Sequence, residues 1–278
     1  MRQVVTIVLL TCNRSQFLKE CLRSIAHQSY SAWNIIISDC SEDVHERNTV
    51  KRVAKKFSSH FPEAKVISIF HKARLSQAFH LSRAIQYIET KYVALLDDDD
   101  IWCIEHLTRS VLVLEQNDAI GLSVSNGFVI DIKQSVSGYT NARHHTFPKL
   151  SDERGWLSLF LRSFYGSTSS YVFRKAAIKQ HHYLNTSCVD INIAVSILLA
   201  GFSVVAFGAP SYFYRVHNLT FYKKGYGVTL DRHKFRLMLF KKNGVKLLRK
   251  NAVYACLIMK SLFEIGWCRF VGWCVKRH

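Results

Sequence analysis

Four consecutive aspartates, Asp97 to Asp100, follow directly after the apolar run YVALL and precede an isoleucine and a tryptophan. Neighbouring carboxylates repel one another and are costly to remove from water, so a positive group is expected among them. A divalent cation, Mg²⁺ or Mn²⁺, is a natural candidate because hard cations prefer oxygen ligands. The alternative is a solvated acidic turn, since carboxylates are common in surface loops.

Short apolar runs alternate with helical patterns through the first half of the chain. The runs span residues 4–11, 33–39, 65–70 and 92–97, and each is continuous, as expected for strands buried on both faces. This β-α-β-α order predicts a doubly wound parallel sheet, in which ligands bind beyond the carboxyl ends of the strands. Asp39 and the acidic run both stand at such ends, which favours a ligand site. Ser15 is predicted to cap the first helix.

The second half of the chain is more mixed. Its predicted elements are a strand at 121–132, a helix at 156–164, a strand at 169–175 and a helix at 190–202 that Gly201 closes. Residues 202–208 and 211–217 are predicted to be two final strands. With 278 residues, 49% of them hydrophobic, and only 3 prolines, the chain is a folded globular protein with a sizeable core.

The positive charge of the chain is concentrated near its C-terminus. The formal net charge is +18, and residues 222–278 hold 14 Lys and Arg against Asp231 and Glu264, a net of +12. Such a segment predicts a polyanionic partner, and nucleic acid and an anionic membrane surface are the two obvious choices.

The spacing of the basic residues in this segment favours the membrane. Over residues 246–264, four basic side chains fall on one helical stripe beside a broad apolar face; they are Lys246, Arg249, Lys250 and Lys260. Three aromatic residues follow, Trp267, Phe270 and Trp273. This pattern predicts an amphipathic helix lying in an anionic membrane surface. The alternative is a helix packed on the protein's own core. Nucleic-acid binding is not expected, because the aromatic residues lie among aliphatic ones.

The eight cysteines form no CxxC pair and no spacing typical of a zinc site. Cys12, Cys21 and Cys188 lie in apolar surroundings, where a free thiol acts as a small hydrophobic group. A reduced, cytoplasmic compartment is therefore expected. No stretch reaches the roughly 18 uncharged apolar residues that span a bilayer, and the N-terminal run lacks the cleavage site of a signal peptide.

Four segments together resemble the family 2 glycosyltransferases with a GT-A fold. They are VTIVLLTCNRSQFLKECLRSIAHQSYSAWNIIISDCSED, LDDDDIW, VDINIAVSILLAGF and YRVH, and the resemblance covers roughly residues 4–218. It implies a Rossmann-like, mostly parallel sheet with helices on both faces. It also implies a catalytic domain over 1–221, with a nucleotide-binding half at 1–120 and an acceptor-binding half at 121–221. Residues 222–278 would form a basic amphipathic helical tail.

The resemblance implies a role for each matching residue in binding a nucleotide-sugar and a metal. Thr11, Asn13 and Arg14 occupy the first βα turn, under the nucleotide, and Asp39 matches the aspartate that recognises the base. Asp97 is expected near the ribose, Asp98 beside it, and Asp99 toward a divalent metal, Mn²⁺ or Mg²⁺. Arg74 is expected to contact base or phosphate, although glycine near Ala73 and asparagine near His80 are the family's usual residues.

Two residues from the second half complete the implied site. Asp190 matches the aspartate that takes the proton of the acceptor hydroxyl in an inverting transfer. The alternative for Asp190 is a charge that satisfies free amides at a helix start. Val189 precedes it where many members have glutamate, a difference that bears on how the acceptor is positioned. His217 in YRVH is expected at the metal or the diphosphate, the alternative being a surface histidine with other partners. Arg215 would support the same phosphates or pair on a strand surface.

The resulting prediction is an inverting, metal-dependent glycosyltransferase that uses a nucleotide-sugar, specifically a UDP-sugar. Its acceptor would be a lipid-linked saccharide of a bacterial surface polysaccharide, such as O-antigen, capsule or lipooligosaccharide. The protein would lie in the cytoplasm, peripherally bound to the inner face of the cell membrane. The alternatives are a metal-dependent nucleotidyltransferase and a non-catalytic membrane-binding module.

Overall fold

The first half of the chain folds as alternating strands and helices, as its apolar pattern predicts. The structure, a computed structural model, describes residues 4–140, 145–147, 167–178 and 189–217. The strands within these ranges are β1 (Val5–Thr11), β2 (Trp33–Asp39), β3 (Val66–Phe70), β4 (Tyr92–Asp97), β5 (Ile101–Trp102), β6 (Ile120–Ile130), β7 (Val136–Tyr139), β8 (His145–Phe147), β9 (Tyr171–Arg174) and β10 (Ser203–Arg215). The α-helices are α1 (Ser15–Ala26), α2 (Val44–His60), α3 (Gln77–Ile85), α4 (His106–Glu115) and α5 (Val189–Leu199).

The described strands form one mixed sheet. Its order is β3-β2-β1-β4-β9-β6-β10-β5, with β7 paired to β6 and β8 paired to β10. Strands β3, β2, β1 and β4 are parallel, and so are β6 and β10, whereas β9 runs antiparallel between β4 and β6. The predicted mostly parallel sheet is therefore confirmed, and β9 is the antiparallel strand inserted between its two parallel parts. An antiparallel strand needs no crossover helix, so β-α alternation does not reveal it.

The two faces of β1 show how the sheet is covered. Ile7 and Leu9 lie in an apolar cluster with α1, α2 and α4, whereas Val8 belongs to a second cluster with α3 and α5. All three side chains are fully buried. Because a strand alternates its side chains between faces, a continuous apolar run is the pattern that a strand buried on both faces requires.

Two boundaries in the second half differ from the prediction. Part of the run predicted as a strand at 169–175 forms a 3₁₀ turn, Thr168–Ser170, before β9 begins. The two predicted final strands are one strand, β10, whose register against β6 shifts around Pro210. Gly201 follows α5 with φ of +88°, the left-handed conformation that ends helices and that glycine adopts without strain. The helix predicted at 156–164 lies outside the described residues.

The prediction that Ser15 caps α1 is wrong. Ser15 is the first residue of the helix, and Arg14 at the cap position makes no side-chain cap bond. The backbone N–H of Ser15 instead donates to Oε2 of Glu46, a residue of α2, at 2.8 Å. A carboxylate from a neighbouring helix thus satisfies one of the free amides at the helix start. Such a long-range partner leaves no local sequence signal.

The proposed tail, residues 222–278, lies outside the described residues, so its helix stays a prediction. The boundary at residue 221 also lies there, and the one between 120 and 121 falls at the start of β6. Both stay predictions. Of the helices in the described ranges, none combines the length and the apolar character that crossing a bilayer requires.

Candidate active site

The aspartates after β4 form a tight turn. The backbone N–H of Asp100 donates to the carbonyl oxygen of Asp97 at 3.2 Å. Asp98, Asp99 and Asp100 are 0%, 8% and 1% exposed. The alternative of a solvated acidic turn is therefore wrong. We call residues 97–100 the acidic turn; it lies at the carboxyl end of β4, next to the carboxyl end of β1.

Two cationic or potentially cationic side chains meet at the acidic turn. Arg14 places Nη2 2.5 Å from Oδ1 of Asp98 and Nη1 2.7 Å from Oδ2 of Asp99. His217 places Nε2 2.9 Å from the same Asp99 oxygen. The first βα turn, the acidic turn and the end of β10 thus converge on one carboxylate. The four residues of this cluster, Arg14, Asp98, Asp99 and His217, come from three separate segments of the sequence and were all predicted to belong to the site.

The other face of the acidic turn is held by hydroxyl and amide groups. Thr168 Oγ1 donates to Asp97 Oδ2 at 2.5 Å, and Gln77 Nε2 donates to Asp97 Oδ1 at 3.1 Å. The backbone N–H of Asp97 donates to Oγ of Ser169 at 3.0 Å. Both oxygens of Asp97 therefore have protein partners, and its orientation is fixed by residues of the 3₁₀ turn and of α3.

Arg215 holds the backbone of the acidic turn. Its N–H donates to Oδ1 of Asp100 at 3.0 Å, and its Nε donates to the carbonyl oxygen of Asp99 at 2.8 Å. Its Nη2 lies 2.6 Å from Oε2 of Glu20, and the side chain is almost fully buried. Of the two roles considered for Arg215, these contacts favour pairing within the protein over binding of a phosphate.

Burial and neighbouring charges separate the four carboxyl groups by pKa. Burial raises the pKa of Asp97 to about 6, that of Asp98 to about 8 and that of Asp100 well above the ordinary range. Burial also acts on Asp99, but the hydrogen bond from His217 and the charge of Arg14 outweigh it and lower its pKa. At neutral pH Asp99 and Asp97 are therefore charged, whereas Asp98 and Asp100 hold protons, which relieves the repulsion within the acidic turn.

The donor set at Asp99 fits a hard or borderline divalent cation. Carboxylate oxygens suit Mg²⁺ and Mn²⁺, and an imidazole nitrogen is accepted by Mn²⁺. In the part of the chain that the structure describes, no three His, Cys, Asp or Glu side chains are arranged as a closed metal cage. A Mg²⁺-type ion does not need one, because it is usually held by one or two carboxylates together with substrate phosphates. Asp99 and His217 meet that smaller requirement.

Asp39 offers a buried acceptor at the carboxyl end of β2. Its Oδ1 accepts hydrogen bonds from the N–H of Ser41 at 2.9 Å and from Ser41 Oγ at 2.6 Å. The residue is fully buried, and its Oδ2 has no hydrogen-bond partner among the described residues. Since a buried acceptor without a partner is costly, Oδ2 suits a donor N–H on a ligand such as a nucleobase.

The predicted nucleotide residues of the first βα turn lie beside Asp39. Thr11 is paired with Asp39 in the strand register and is buried. Asn13 adopts a left-handed φ of +53°, and its N–H donates to Ser41 Oγ at 2.7 Å. The side-chain Oδ1 of Asn13 accepts from the N–H of Glu42 at 3.1 Å. Asn13 therefore ties the turn after β1 to the turn after β2, a structural use that the sequence pattern did not reveal.

The two remaining predicted residues enter from other elements. Arg74 is exposed in the loop between β3 and α3, near enough to Cys12 for its charge to act on the pKa of that thiol. Asp190 is partly exposed in the first turn of α5. Helix α5 packs against β6 and β10, the strand that also leads to His217.

Sequence reasoning missed the residues that orient the carboxylates. Thr168 and Ser169 belong to the run GSTSS, and Gln77 and Glu20 lie on helices. The run of small hydroxyl residues before a strand was the available signal, because such side chains often hydrogen-bond to carboxylates and backbone. Gln77 and Glu20 carry no comparable signal, since polar residues on exposed helix faces are common.

Comparison with known proteins gives a family match over well over half of the chain. The sequence model of the family described as Glycosyl transferase family 2 matches residues 6–181. A curated relative is the UDP-Glc:alpha-D-GlcNAc-diphosphoundecaprenol beta-1,3-glucosyltransferase WfgD of Escherichia coli, which is 22% identical over 147 residues, 53% of this chain and 54% of that protein. The chain spans about half, or less, of the curated relatives that it matches.

Two solved structures have the same overall fold. S. aureus TarS 1-349 in complex with UDP-GlcNAc aligns with a TM-score of 0.59 at 13% identity, over 95% of this chain and 81% of that one. The mannosyltransferase PcManGT from Pyrobaculum calidifontis, in complex with GDP-Man and Mn²⁺, aligns with a TM-score of 0.60 at 14% identity, over 97% of this chain and 74% of that one. At such identities the likeness establishes the fold.

Proposed function

The chain belongs to glycosyl transferase family 2, and from that premise we propose that it transfers one sugar, with inversion, from a nucleotide-sugar to a saccharide acceptor. The observation that carries the proposal is the meeting of Arg14, Asp99 and His217 at the carboxyl ends of β1, β4 and β10. In an open sheet with parallel strands, this end is where ligands bind. Diphosphates need positive charge beside them, and Arg14 and a cation on Asp99 would both supply it.

The donor in this proposal is a UDP-sugar. The N–H of uracil matches the unpartnered Oδ2 of Asp39, and the names of WfgD and of the TarS complex include UDP-sugars. Guanine also carries N–H donors, and PcManGT is described with GDP-Man. Competition between UDP and GDP for the protein separates the two bases.

Asp99 and His217 would hold the divalent metal, either Mn²⁺ or Mg²⁺. A bound divalent ion supplies Lewis-acid assistance by neutralising charge on the leaving nucleoside diphosphate. Asp99 suits this role because its pKa is lowered, so the carboxylate is free of a proton at neutral pH. Asp97 is held at a fixed orientation by Thr168 and Gln77, which suits contact with the ribose.

Asp190 would take the proton of the acceptor hydroxyl during attack on the sugar. An inverting transfer needs one carboxylate opposite the leaving group. Asp190 lies in the first turn of α5 and is partly exposed, so an acceptor can approach it from solvent. A helix start also stabilises a carboxylate, which favours the charged form that a base needs.

The acceptor in this proposal is a lipid-linked saccharide of a bacterial surface polysaccharide, at the cytoplasmic face of the membrane. Two observations support it. The name of WfgD specifies a diphosphoundecaprenol-linked acceptor, and residues 222–278 carry a net charge of +12, which suits an anionic leaflet. O-antigen, capsule and lipooligosaccharide synthesis all present acceptors of this kind.

The released product distinguishes the proposal from its rivals. The protein is incubated with Mn²⁺ or Mg²⁺, a panel of UDP- and GDP-sugars, and membrane lipid extract as acceptor. A glycosyltransferase releases nucleoside diphosphate in this incubation. In a second incubation, with nucleoside triphosphate and sugar phosphate, a nucleotidyltransferase releases pyrophosphate. A binding module releases neither product. Pyrophosphate release would overturn the proposal, and so would the absence of any released nucleotide with every donor.

A further inference from the structure

Two cysteines that the proposed reaction does not use lie side by side at the carboxyl ends of β1 and β2. The strand register pairs Thr11 with Asp39, so Cys12 and Cys40 are the next neighbours along the two strands. The N–H of Cys40 donates to the carbonyl oxygen of Thr11 at 3.1 Å, and Cys12 Sγ lies 3.3 Å from the carbonyl oxygen of Cys40.

This spacing permits a disulfide without a change in the strands. Neighbouring strands lie about 4.8 Å apart, and a disulfide bridges Cα atoms that are about 4.4–6.8 Å apart. The Cys12 side chain already lies against Cys40, since its Sγ is 3.3 Å from the Cys40 carbonyl oxygen. Both cysteines are free thiols in the structure.

The surroundings of the pair favour one thiolate and one thiol. The hydrogen bond from Cys12 lowers the pKa of Cys40 well below its ordinary value, with further help from His80 and against the effect of burial. The same hydrogen bond and burial raise the pKa of Cys12. His80 is 3% exposed, and its Nε2 has no hydrogen-bond partner within the described ranges. His71 packs against His80, with ring centroids 4.9 Å apart.

The other two described cysteines provide a contrast. Burial raises the pKa of Cys21 and of Cys103, so both remain protonated thiols. The thiolate is the nucleophilic form of cysteine, and Cys40, although only 2% exposed, is the one of these four cysteines that its surroundings favour in that form. The sequence-based expectation that Cys12 acts only as a small hydrophobic group therefore omits its contact with Cys40.

We propose that Cys12 and Cys40 form an oxidisable dithiol, a modification site for peroxides whose closure weakens binding of the nucleotide donor. The Cys40 thiolate attacks one oxygen of hydrogen peroxide, the O–O bond breaks, and the released hydroxide takes a proton to leave as water. Cys12 then attacks the sulfur of the Cys40 sulfenic acid, the S–S bond forms and the S–O bond breaks. The Cys12 proton and the departing hydroxide give a second water. Two thiols thus lose two electrons and two hydrogens, and one peroxide becomes two waters.

His80 is positioned to handle the proton of this exchange. Its imidazole lies beside the Cys40 sulfur and is shielded from solvent. An imidazole at this sulfur can receive the Cys12 proton as Cys12 attacks the Cys40 sulfenic acid, and formation of the Cys12 thiolate sets the rate of disulfide closure. Cys12 is only partly buried, and hydrogen peroxide is small enough to reach the Cys40 sulfur from that side.

The effect on donor binding follows from the neighbours of the two cysteines, and it rests on the proposed function. Cys12 separates Thr11 from Asn13, and Cys40 separates Asp39 from Ser41. Drawing the two sulfurs to about 2.05 Å changes the paths of both turns. The bond from the Asn13 N–H to Ser41 Oγ crosses between these turns, and Ser41 in turn donates to Oδ1 of Asp39. Asp39 would then present its free oxygen at a different angle.

Peptide mapping of the wild-type protein tests the bridge without any substitution. Reduced protein is treated with hydrogen peroxide, alkylated and digested with trypsin, which yields peptides 3–14 and 24–47 with one cysteine each. We expect the two peptides linked, and separated again by dithiothreitol. Cys12→Ser should abolish the link and leave a Cys40 sulfenic acid that dimedone traps, whereas Cys103→Ser should keep the link. Recovery of both peptides as separately alkylated species after peroxide treatment would overturn the site.

Binding of UDP with Mn²⁺ tests the coupling to the donor pocket. The affinity of the oxidised wild type should be lower than that of the reduced protein by about tenfold or more, and dithiothreitol should restore it. A disulfide that forms with no change in UDP affinity would overturn the coupling. If the reduced protein also fails to bind any nucleotide, the proposed donor site is contradicted, and with it the coupling, while the peptide map still decides the dithiol.

Discussion

The Arg14 guanidinium lies 2.7 Å from Oδ2 of Asp99, across the carboxyl ends of two adjacent strands. Arginine at this position provides a positive charge for the one carboxylate of the acidic turn whose pKa is lowered. The guanidinium contacts the same Asp99 oxygen as His217 does. In the proposed donor complex, Arg14 would exchange this carboxylate partner for phosphate oxygens, which suit the guanidinium equally well.

Asp39→Asn should weaken nucleotide binding and leave the fold intact. The carboxamide can keep its oxygen toward Ser41, but it turns an N–H₂ donor toward the base where Oδ2 of Asp39 is an acceptor. We expect UDP affinity to fall by about tenfold or more, the scale of a hydrogen bond to a charged group. Titration calorimetry with UDP measures it. Asp43→Asn, at the start of α2, is the matched control and should bind UDP as the wild type does. Equal affinities for the two variants would show that Asp39 does not contact the base.

Asp190→Asn separates catalysis from binding. The amide preserves the shape of the side chain and can still accept hydrogen bonds at the start of α5, but it cannot accept the acceptor's proton. The donor affinity of the variant should stay within about twofold of that of the wild type. Its rate of sugar transfer should fall by about a hundredfold or more, the usual range for loss of a general base. Transfer at the wild-type rate, with or without a lower melting temperature, would leave Asp190 as a structural charge only.

His106 predicts an acid-sensitive step in stability. It is fully buried, stacks on Trp102 and contacts Ser211 Oγ through Nδ1 at 2.7 Å, and burial lowers its pKa to about 3. Between about pH 3 and pH 6.5 the unfolded chain binds a proton that the folded protein does not. Stability should therefore fall as the pH drops through this window.

His106→Asn tests that step, because its amide can keep the contact with Ser211 and does not titrate. The free energy of unfolding of the wild type should decrease between pH 7 and pH 4.5 by about 2 kcal/mol more than that of the variant. Urea denaturation at the two pH values measures the difference. The exposed His60 provides the control, His60→Asn, which should follow the wild type. If the free energy of unfolding falls equally in the wild type and in His106→Asn, the acid sensitivity does not come from His106.

The charge of residues 222–278 predicts membrane binding. Removing 245–278 should sharply reduce co-sedimentation with anionic liposomes, since each basic residue near the surface contributes on the order of 1 kcal/mol before screening. Binding of the full chain should also require anionic lipid and weaken with salt. A full-length variant with glutamine at Lys246, Arg249, Lys250 and Lys260 retains the apolar face and should behave like the truncated protein. Co-sedimentation that is equal with and without this segment would refute the membrane role. If the truncated protein instead melts at a lower temperature and liposome binding is unchanged, the segment packs on the core.

The sequence was sufficient to predict the sheet edge at which the site lies. Continuous apolar runs ending in Asp39 and Asp97 identify strand ends, and parallel strands bring those ends together. The antiparallel strand β9 was not predictable in this way, because no crossover helix accompanies it. The same holds for the single strand β10, whose irregular register around Pro210 looked like a break between two strands.

The contacts that hold the acidic turn could not be predicted, because their partners are distant in sequence. Arg215 reaches Glu20 on α1, and Thr168 reaches Asp97 from a 3₁₀ turn. Polar side chains of these types are equally common on exposed surfaces, so their partners become apparent only in the folded structure. The contact between Cys12 and Cys40 is of the same kind: two unremarkable cysteines become neighbours only when β1 and β2 align.

The proposed metal site is tested by release of nucleoside diphosphate from a UDP-sugar, measured for the wild type and for Asp99→Asn, each with Mn²⁺ and with excess chelator. The wild type should turn over with Mn²⁺ and stop in chelator. Asp99→Asn, which keeps the shape of the side chain and removes its charge, should lose metal binding and turnover together, by about a hundredfold or more. Glu105→Gln, on the exposed surface near α4, should match the wild type. Undiminished turnover by Asp99→Asn, or by the wild type in excess chelator, would show that catalysis does not depend on a metal held by Asp99.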